Sequence, residues 1–251
     1  MAQTVKYEIT REENSRRGWY LRSRDEFVAG WMRKKLTPGQ PWRVLDAGCG
    51  TGGVIEQLAQ ENVICTGTDM DMASLVWGAS QGRVPSGAMA DICKLPFSDK
   101  SFDFAVSSEV LEHVENDTQG MKELLRVTRK GVLISVPAHM YLWTDSDEIL
   151  LHYRRYSRER LENMVADANG RIAQLGSFGF IPGTMVLGYK AVQKMLGKDA
   201  KSANELPLAS RFTIPPVVDQ AIGSLFRAEL WFDARRIIRW GHSWWAYVES
   251  V

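Results

Sequence analysis

The stretch VLDAGCGTGG, residues 44–53, decides how this chain is read. An apolar run leads into glycines, and Gly48, Gly50 and Gly53 have the G-x-G-x-x-G spacing with which a strand–turn–helix unit receives a pyrophosphate. Yet Asp46 stands directly before them. At the end of the same strand its carboxylate would repel a phosphate dianion, so the loop is expected to face a cation instead.

Working outward, the chain alternates between short apolar runs and helical patterns. The runs are WRVLD (42–46), VICTGTD (63–69), GAMAD (87–91), FDFAVSS (102–108) and VLISVP (132–137). Between them, helices are expected at about 53–60, 72–79 and 117–130, the last closed by Gly131. An earlier helix carries Phe27, Val28, Trp31, Met32 and Leu36 at helical spacing and ends in TPGQP. Strands separated by crossover helices predict an open α/β sheet whose ligand sits at the strands' C-terminal ends. Asp46, Asp69 and Asp91 close the first three strands there. S-adenosylmethionine, which carries an ammonium and a sulfonium, fits Asp46 beside a glycine loop. Asp69 can accept two hydrogen bonds from ribose hydroxyls, and Asp91 one from an adenine amino group. Any one of these aspartates reads equally well as a helix cap or a turn residue, but three in register point to a ligand.

The run Asp46-Ala47-Gly48-Cys49-Gly50-Thr51-Gly52, followed by Asp69, ADICKLPFSDKSFDFAVSSEVLEHV and VLISVP, resembles class I S-adenosylmethionine-dependent methyltransferases. GWYLRSR (18–24) is similar to the W-W-F-x-x-R opening of one bacterial branch of these enzymes. LWTDSDEILLHYRRYSRERL (142–161) is similar to that branch's L-W-S-x-H-D … G-H-x-R-R-Y-T segment, and WGHSWWAYV (240–248) to its closing G-x-S strand. Ser146 stands where the branch often has His, and Leu151 where it often has Gly. The resemblance implies a Rossmann-like, seven-stranded, mostly parallel sheet with helices on both faces, a last antiparallel strand at about 243–249, and a helical lid in the C-terminal half. It also implies cofactor contacts: Asp46, Gly48 and Gly50 to the methionine moiety, Asp69 and Met70 to ribose and adenine, Asp91 and Ile92 to adenine. Ser108 or Glu109 would touch the methionine part, and Arg22 would pair with the cofactor carboxylate. The implied organisation is one domain: cover helices over 1–40, a cofactor-binding core over 41–137, substrate-side segments and lid over 138–240, and a closing strand over 241–251.

Composition narrows partners and compartment. With 31 Lys+Arg against 30 Asp+Glu among 251 residues, no global basic field favours nucleic acid. A small-molecule or lipid-linked acceptor is expected, with the acceptor atom (O, N or C) and the oligomeric state left open. Three cysteines without a C-x-x-C pair suit a reducing compartment, and the polar N-terminus lacks a signal-peptide pattern, so the cytoplasm is expected. FGFIPGTMVLGYKAV (178–192) is too short an apolar run to span a membrane and reads as a lid or interfacial helix. From Val218 onward apolar residues recur near helical spacing among arginines, which leaves peripheral membrane contact open.

Methyl transfer to a hydroxyl or protonated amine needs a base. The candidates are His152, His113, Tyr153 and Tyr141, with His152 expected on the acceptor side and His113 beneath the cofactor. Arg154 and Arg155 are either a solvated helix start or an anion clamp. Glu109, Glu112, His113 and His152 resemble the metal site of certain O-methyltransferases, but the same E-V-L-E-H occurs in metal-free relatives, and the metal is left unassigned with no ion as the preferred reading. The alternative function is a nucleotide-fold protein without methyl transfer, either an NAD-type dehydrogenase or a binding module.

Overall fold

The computed structural model describes residues 18–59, 62–195, 216–233 and 240–250. Helix α1 (Trp19–Arg33) precedes β1 (Trp42–Ala47), α2 (Gly53–Leu58), β2 (Val63–Asp69), α3 (Met72–Ser80), β3 (Gly87–Met89) and β4 (Phe102–Ser108). Then come α4 (Asp117–Val127), β5 (Thr128–Pro137), α5 (Asp145–Ile149), α6 (Arg158–Asp167), β6 (Gly170–Phe178), α7 (Phe180–Met195), α8 (Pro216–Asp233) and β7 (Ser243–Ser250). The strands form one sheet in the order β3-β2-β1-β4-β5-β7-β6. Neighbours from β3 to β5 pair in parallel, and β7 runs antiparallel between β5 and β6.

Two cores follow from the period-2 alternation of the strands. Leu45, Ala47, Ala105, Val132, Ile134, Trp244 and Ala246 face α4 and α6, which contribute Met121, Leu124, Leu161 and Met164. Val44, Phe104, Val106, Leu133, Trp245 and Tyr247 face the opposite way, against Phe27, Val28, Trp31 and Met32 of α1, Ile55 of α2 and Phe226 of α8. By the same alternation Asp46 shares the second face with Val44, so its carboxylate comes to lie beneath α1.

The structure moves one expected boundary and adds one strand. Helix α4 stops at Val127, and β5 begins at Thr128. Gly131 therefore does not close a helix. It sits within β5, where a Cβ would lie 2.6 Å from the Val248 carbonyl oxygen and 2.7 Å from the Tyr247 hydroxyl. The added strand is β6, whose half-exposed residues and Gly176, tucked under the Trp245 indole, give no apolar run to notice. α7 is the helix expected within 178–192. The carboxylate of Glu229 on α8 accepts from the Phe180 and Ile181 amides at its start, and Lys190 donates to the Tyr141 and Trp143 carbonyls at 2.7 and 3.0 Å. The polar connection 197–215 and the residues Arg235, Arg236, Ile237, Ile238 and Arg239 lie outside the described residues. Among the described residues, no helix is long and apolar enough to cross a membrane.

Candidate active site

The C-terminal ends of β1, β2 and β4 meet under α1, and the glycine loop threads between them. Gly48, Gly50 and Gly52 have φ of +79°, +52° and +83°, a left-handed backbone that glycine enters without strain. A Cβ at Gly48 would collide with the Val110 side chain. Thr68 accepts from the Gly48 and Cys49 amides at 2.7 and 2.9 Å, tying the loop to β2. Asp69 ties it a second time: its carboxylate accepts from the Gly50 amide at 2.7 Å and the Asp71 amide at 2.9 Å. A carboxylate offers about four lone-pair sites, so two remain for a ligand.

Asp46 is 3% exposed, and its Oδ2 has no hydrogen-bond partner. Burial, then the nearby Asp25 carboxylate, push its acid up to about 8, with Arg24 acting in the opposite sense. An orphaned carboxyl oxygen beside a left-handed glycine loop is what a ligand ammonium would satisfy. A pyrophosphate is disfavoured twice over. Besides Asp46, the Asp25 carboxylate packs so closely on Gly53, the first residue of α2, that a Cβ there would collide with it. The place a dinucleotide's phosphates need already holds an anion.

The other expected cofactor contacts surround this point. Met70 is 70% exposed just beyond β2, and Ile92 is buried beside Asp91, whose carboxylate accepts from the Cys93 amide at 2.8 Å. Glu109 stands beyond β4 with φ of +55° and a buried, unpartnered Oε1. Burial raises its acid, opposed by Arg24, His152 and Arg155. Ser108 is buried and shares a 2.9 Å hydrogen bond with Ser135. Arg22 lies exposed on α1. Its neighbour Arg24 turns inward instead, 2.9 Å from Asp25 and within electrostatic reach of Glu109 and Tyr20. Counting the W-W-F-x-x-R pattern from Trp19 lands on Arg24, a signal that was present in the sequence.

Around α5 a buried chain of polar groups was largely invisible in the sequence. Asp147 accepts from His152 Nδ1 at 2.9 Å and from Arg155 Nε and Nη2 at 2.7 and 3.0 Å. Burial alone would raise the Asp147 acid, but these hydrogen bonds hold it far below the usual carboxylate range. Arg155 continues to His242 Nε2 at 3.3 Å, and His242 Nδ1 lies 3.4 Å from the Tyr20 hydroxyl. Burial and Arg155 lower the His242 imidazole to about 3, so it is neutral. Asp147 matches the last residue of the L-W-S-x-H-D pattern, a signal that could have found it.

The two arginines differ from both readings offered above. Arg154 pairs at 2.8 Å with Asp117, which it shares with Arg160, and Arg155 pairs with Asp147. His113 lies on a 3-10 turn, Leu111–His113, and its ring meets that of His152 edge-on at 4.5 Å. Tyr153 and Tyr141 are 56% and 53% exposed. Tyr141 stacks on His139 at 5.0 Å, and its hydroxyl accepts from Trp240 Nε1 at 2.5 Å. Glu109, His139 and Leu151 all have positive φ. The left-handed backbone at Leu151 accounts for the glycine that relatives often carry there.

Comparison with known proteins agrees with this geometry. Residues 45–136 match the "Methyltransferase domain" family. A demethylmenaquinone methyltransferase of Corynebacterium glutamicum is 33% identical over 105 residues, 42% of this chain and 44% of that protein. A malonyl-[acyl-carrier protein] O-methyltransferase of Pseudescherichia vulneris is 30% identical over 165 residues, 62% of this chain and 63% of that protein. The chain thus spans about half the length of the curated relatives it matches. A chain of the Haloferax volcanii complex between the Trm112 methyltransferase activator and a methyltransferase superposes with a TM-score of 0.61 at 14% identity, covering 99% of this chain and 96% of that one. The fold is the Rossmann-like one of the methyltransferase structure on which it superposes, and the methyltransferase-domain match covers residues 45–136 of the chain.

Proposed function

We propose that this protein transfers a methyl group from S-adenosylmethionine to a small-molecule acceptor. The observation that carries the reading is the buried Asp46 Oδ2, without a partner, beside a glycine loop that Asp69 staples in place. When bound, the cofactor supplies a methyl carbon on a sulfonium leaving group. In this reading Asp46 receives its ammonium, Gly48 and Gly50 allow close approach, and Arg24 or Arg22 takes its carboxylate. Asp69 holds the ribose, while Met70, Asp91 and Ile92 frame the adenine, and Glu109 closes the methionine end. The acceptor atom forms the new bond to the methyl carbon as the carbon–sulfur bond breaks, the electron pair leaves with sulfur, and any acceptor proton passes to a base.

The protein's part is alignment, exclusion of water and handling of that proton. His152 is the residue assigned to the acceptor side. Asp147 holds its Nδ1, which leaves Nε2 for chemistry. His113 stands against it, and Tyr153 on its exposed side is the remaining candidate. The acceptor is inferred to carry an apolar portion. Met185, Leu187 and Val192 on helix α7 are 47%, 41% and 53% exposed, and Lys190 of the same helix donates to the carbonyls of Tyr141 and Trp143. These exposed apolar residues support peripheral membrane contact for a lipid-linked acceptor.

The test is transfer of labelled methyl from S-adenosylmethionine into metabolite and lipid extracts, with the product identified by mass. Label entering an apolar small molecule supports the reading, and absence of any labelled product contradicts it. On the identified acceptor, His152→Ala is expected to lower kcat by about 10²–10⁴-fold while changing cofactor affinity only a few-fold. His113→Ala is expected to disturb cofactor binding or stability as well. Full turnover by His152→Ala removes it from the chemistry.

A further inference from the structure

Three side chains from two distant segments converge beyond β4. Glu112 and His113 come from the 3-10 turn and His152 from the link between α5 and α6, and one ligand atom from each lies within 4.8 Å of the others. Glu112 is fully buried, and neither carboxylate oxygen has a hydrogen-bond partner. A buried carboxyl in that condition costs several kcal/mol unless something satisfies it. His113 Nε2 stops at 3.9 Å from its Oε1. A hydrogen bond would have closed to about 2.9 Å. By contrast, two ligands on one ion at about 2.0–2.2 Å each are naturally separated by roughly 3–4 Å.

The surroundings hold the other ligand ready. His152 is 9% exposed, and its Nδ1 is committed to Asp147. Asp147, 1% exposed, is locked in turn by Arg155 and the Thr144 amide. This is the carboxylate–histidine pairing that fixes a metal-ligating imidazole's tautomer and aims its Nε2 lone pair. Glu109 is not among the grouped ligands, because its carboxylate turns toward Arg24 and Ser243. The set is therefore three ligands backed by an aspartate, which differs from the four-residue set read in the sequence and from the preference there for no ion.

We propose that Glu112, His113 and His152 bind a divalent first-row transition ion, of the zinc, manganese or cobalt class, with Asp147 as the positioning residue behind His152. Two imidazoles and one carboxylate leave coordination positions open. Resting on the methyl-transfer reading above, those positions take an acceptor hydroxyl, and the ion lowers that hydroxyl's pKa. With the ion bound, His152 Nε2 serves as a ligand in place of the base role given it above, and the acceptor proton leaves to solvent.

The test uses the whole chain, dialysed against a chelator and titrated with Co²⁺ and with Zn²⁺. Co²⁺ is followed by its visible absorption and Zn²⁺ by calorimetry, and S-adenosylhomocysteine is titrated in parallel. Wild type is expected to bind one equivalent of metal and develop a Co²⁺ absorption band. Glu112→Gln and His152→Ala should weaken binding at least 10-fold, and Asp147→Asn by about 10–100-fold, with S-adenosylhomocysteine affinity retained. No stoichiometric Co²⁺ or Zn²⁺ binding by wild type overturns the inference, as does unchanged binding in folded variants. Metal binding without S-adenosylhomocysteine binding leaves the ion in place and overturns the methyl-transfer reading alone.

Discussion

Asp46 is an acid held at about 8 by burial and by Asp25, and two consequences follow from the sign of that shift. An unfolded aspartate titrates near 3.9. The folded protein therefore holds a proton there that the unfolded chain gives up between about pH 4 and 8, so this site lowers stability progressively as pH rises through that window. Asp46→Asn is expected to melt higher than wild type at pH 8, by on the order of 2–5 kcal/mol, with the gain vanishing toward pH 4. A thermal scan at the two pH values checks it, and a lower melting temperature at pH 8 contradicts it. Asp69 makes a different demand. Its carboxylate already fastens Gly50, so Asp69→Ala removes both a ribose acceptor and a loop staple. S-adenosylhomocysteine binding should weaken by about 1.5–3 kcal/mol, read by calorimetry. Unchanged affinity in the folded variant rules out the ribose role. Much of this was legible in the sequence, because a carboxylate next to glycines is a chemical contradiction only a cationic ligand resolves. Arg24, Asp25 and Asp147 were harder to read. The first two depend on which face of α1 turns inward, and Asp147 on how the chain folds back to bring His152 and Arg155 onto it.

At the scale of elements, β1 and β4 were readable because strands buried on both faces are nearly continuous apolar runs, and β2 because its short apolar start leads into the Asp69 that closes it. Strand β6 was not, since an edge strand half open to solvent has no such signature. Gly131 misled for a related reason. A glycine after a helical pattern ordinarily signals a C-cap, whereas here β7 approaches β5 so closely that no side chain fits. Gly131→Ala is accordingly expected to cost about 1–3 kcal/mol by overpacking at the β5–β7 pairing. Chemical denaturation measures it, and wild-type stability would mean that the strands can spread there. The α7 segment was legible as a helix. Its fastening by Glu229 and Lys190 was not, because both bonds join residues more than 45 positions apart.

For the molecule as a whole, the strand order brings every group of the proposed chemistry to one end of the sheet. Asp46 and Asp69 stand at the C-terminal ends of parallel strands and Glu109 just beyond one, whereas His242 precedes the antiparallel β7, whose start lies at the same end of the sheet. The fold alone does not choose an acceptor, since such scaffolds host many reactions. The most direct test of the central claim, that this end of the sheet receives a cationic adenosyl cofactor through Asp46, is calorimetric titration of S-adenosylhomocysteine across pH 6 to 9, with NADH as the counterpart. Because binding needs the Asp46 carboxylate, affinity should rise with pH by up to about tenfold per unit and flatten above about pH 8, and the protein should release a proton on binding. NADH should not bind. Failure to bind S-adenosylhomocysteine at any pH, or preferential binding of NADH, would contradict the account.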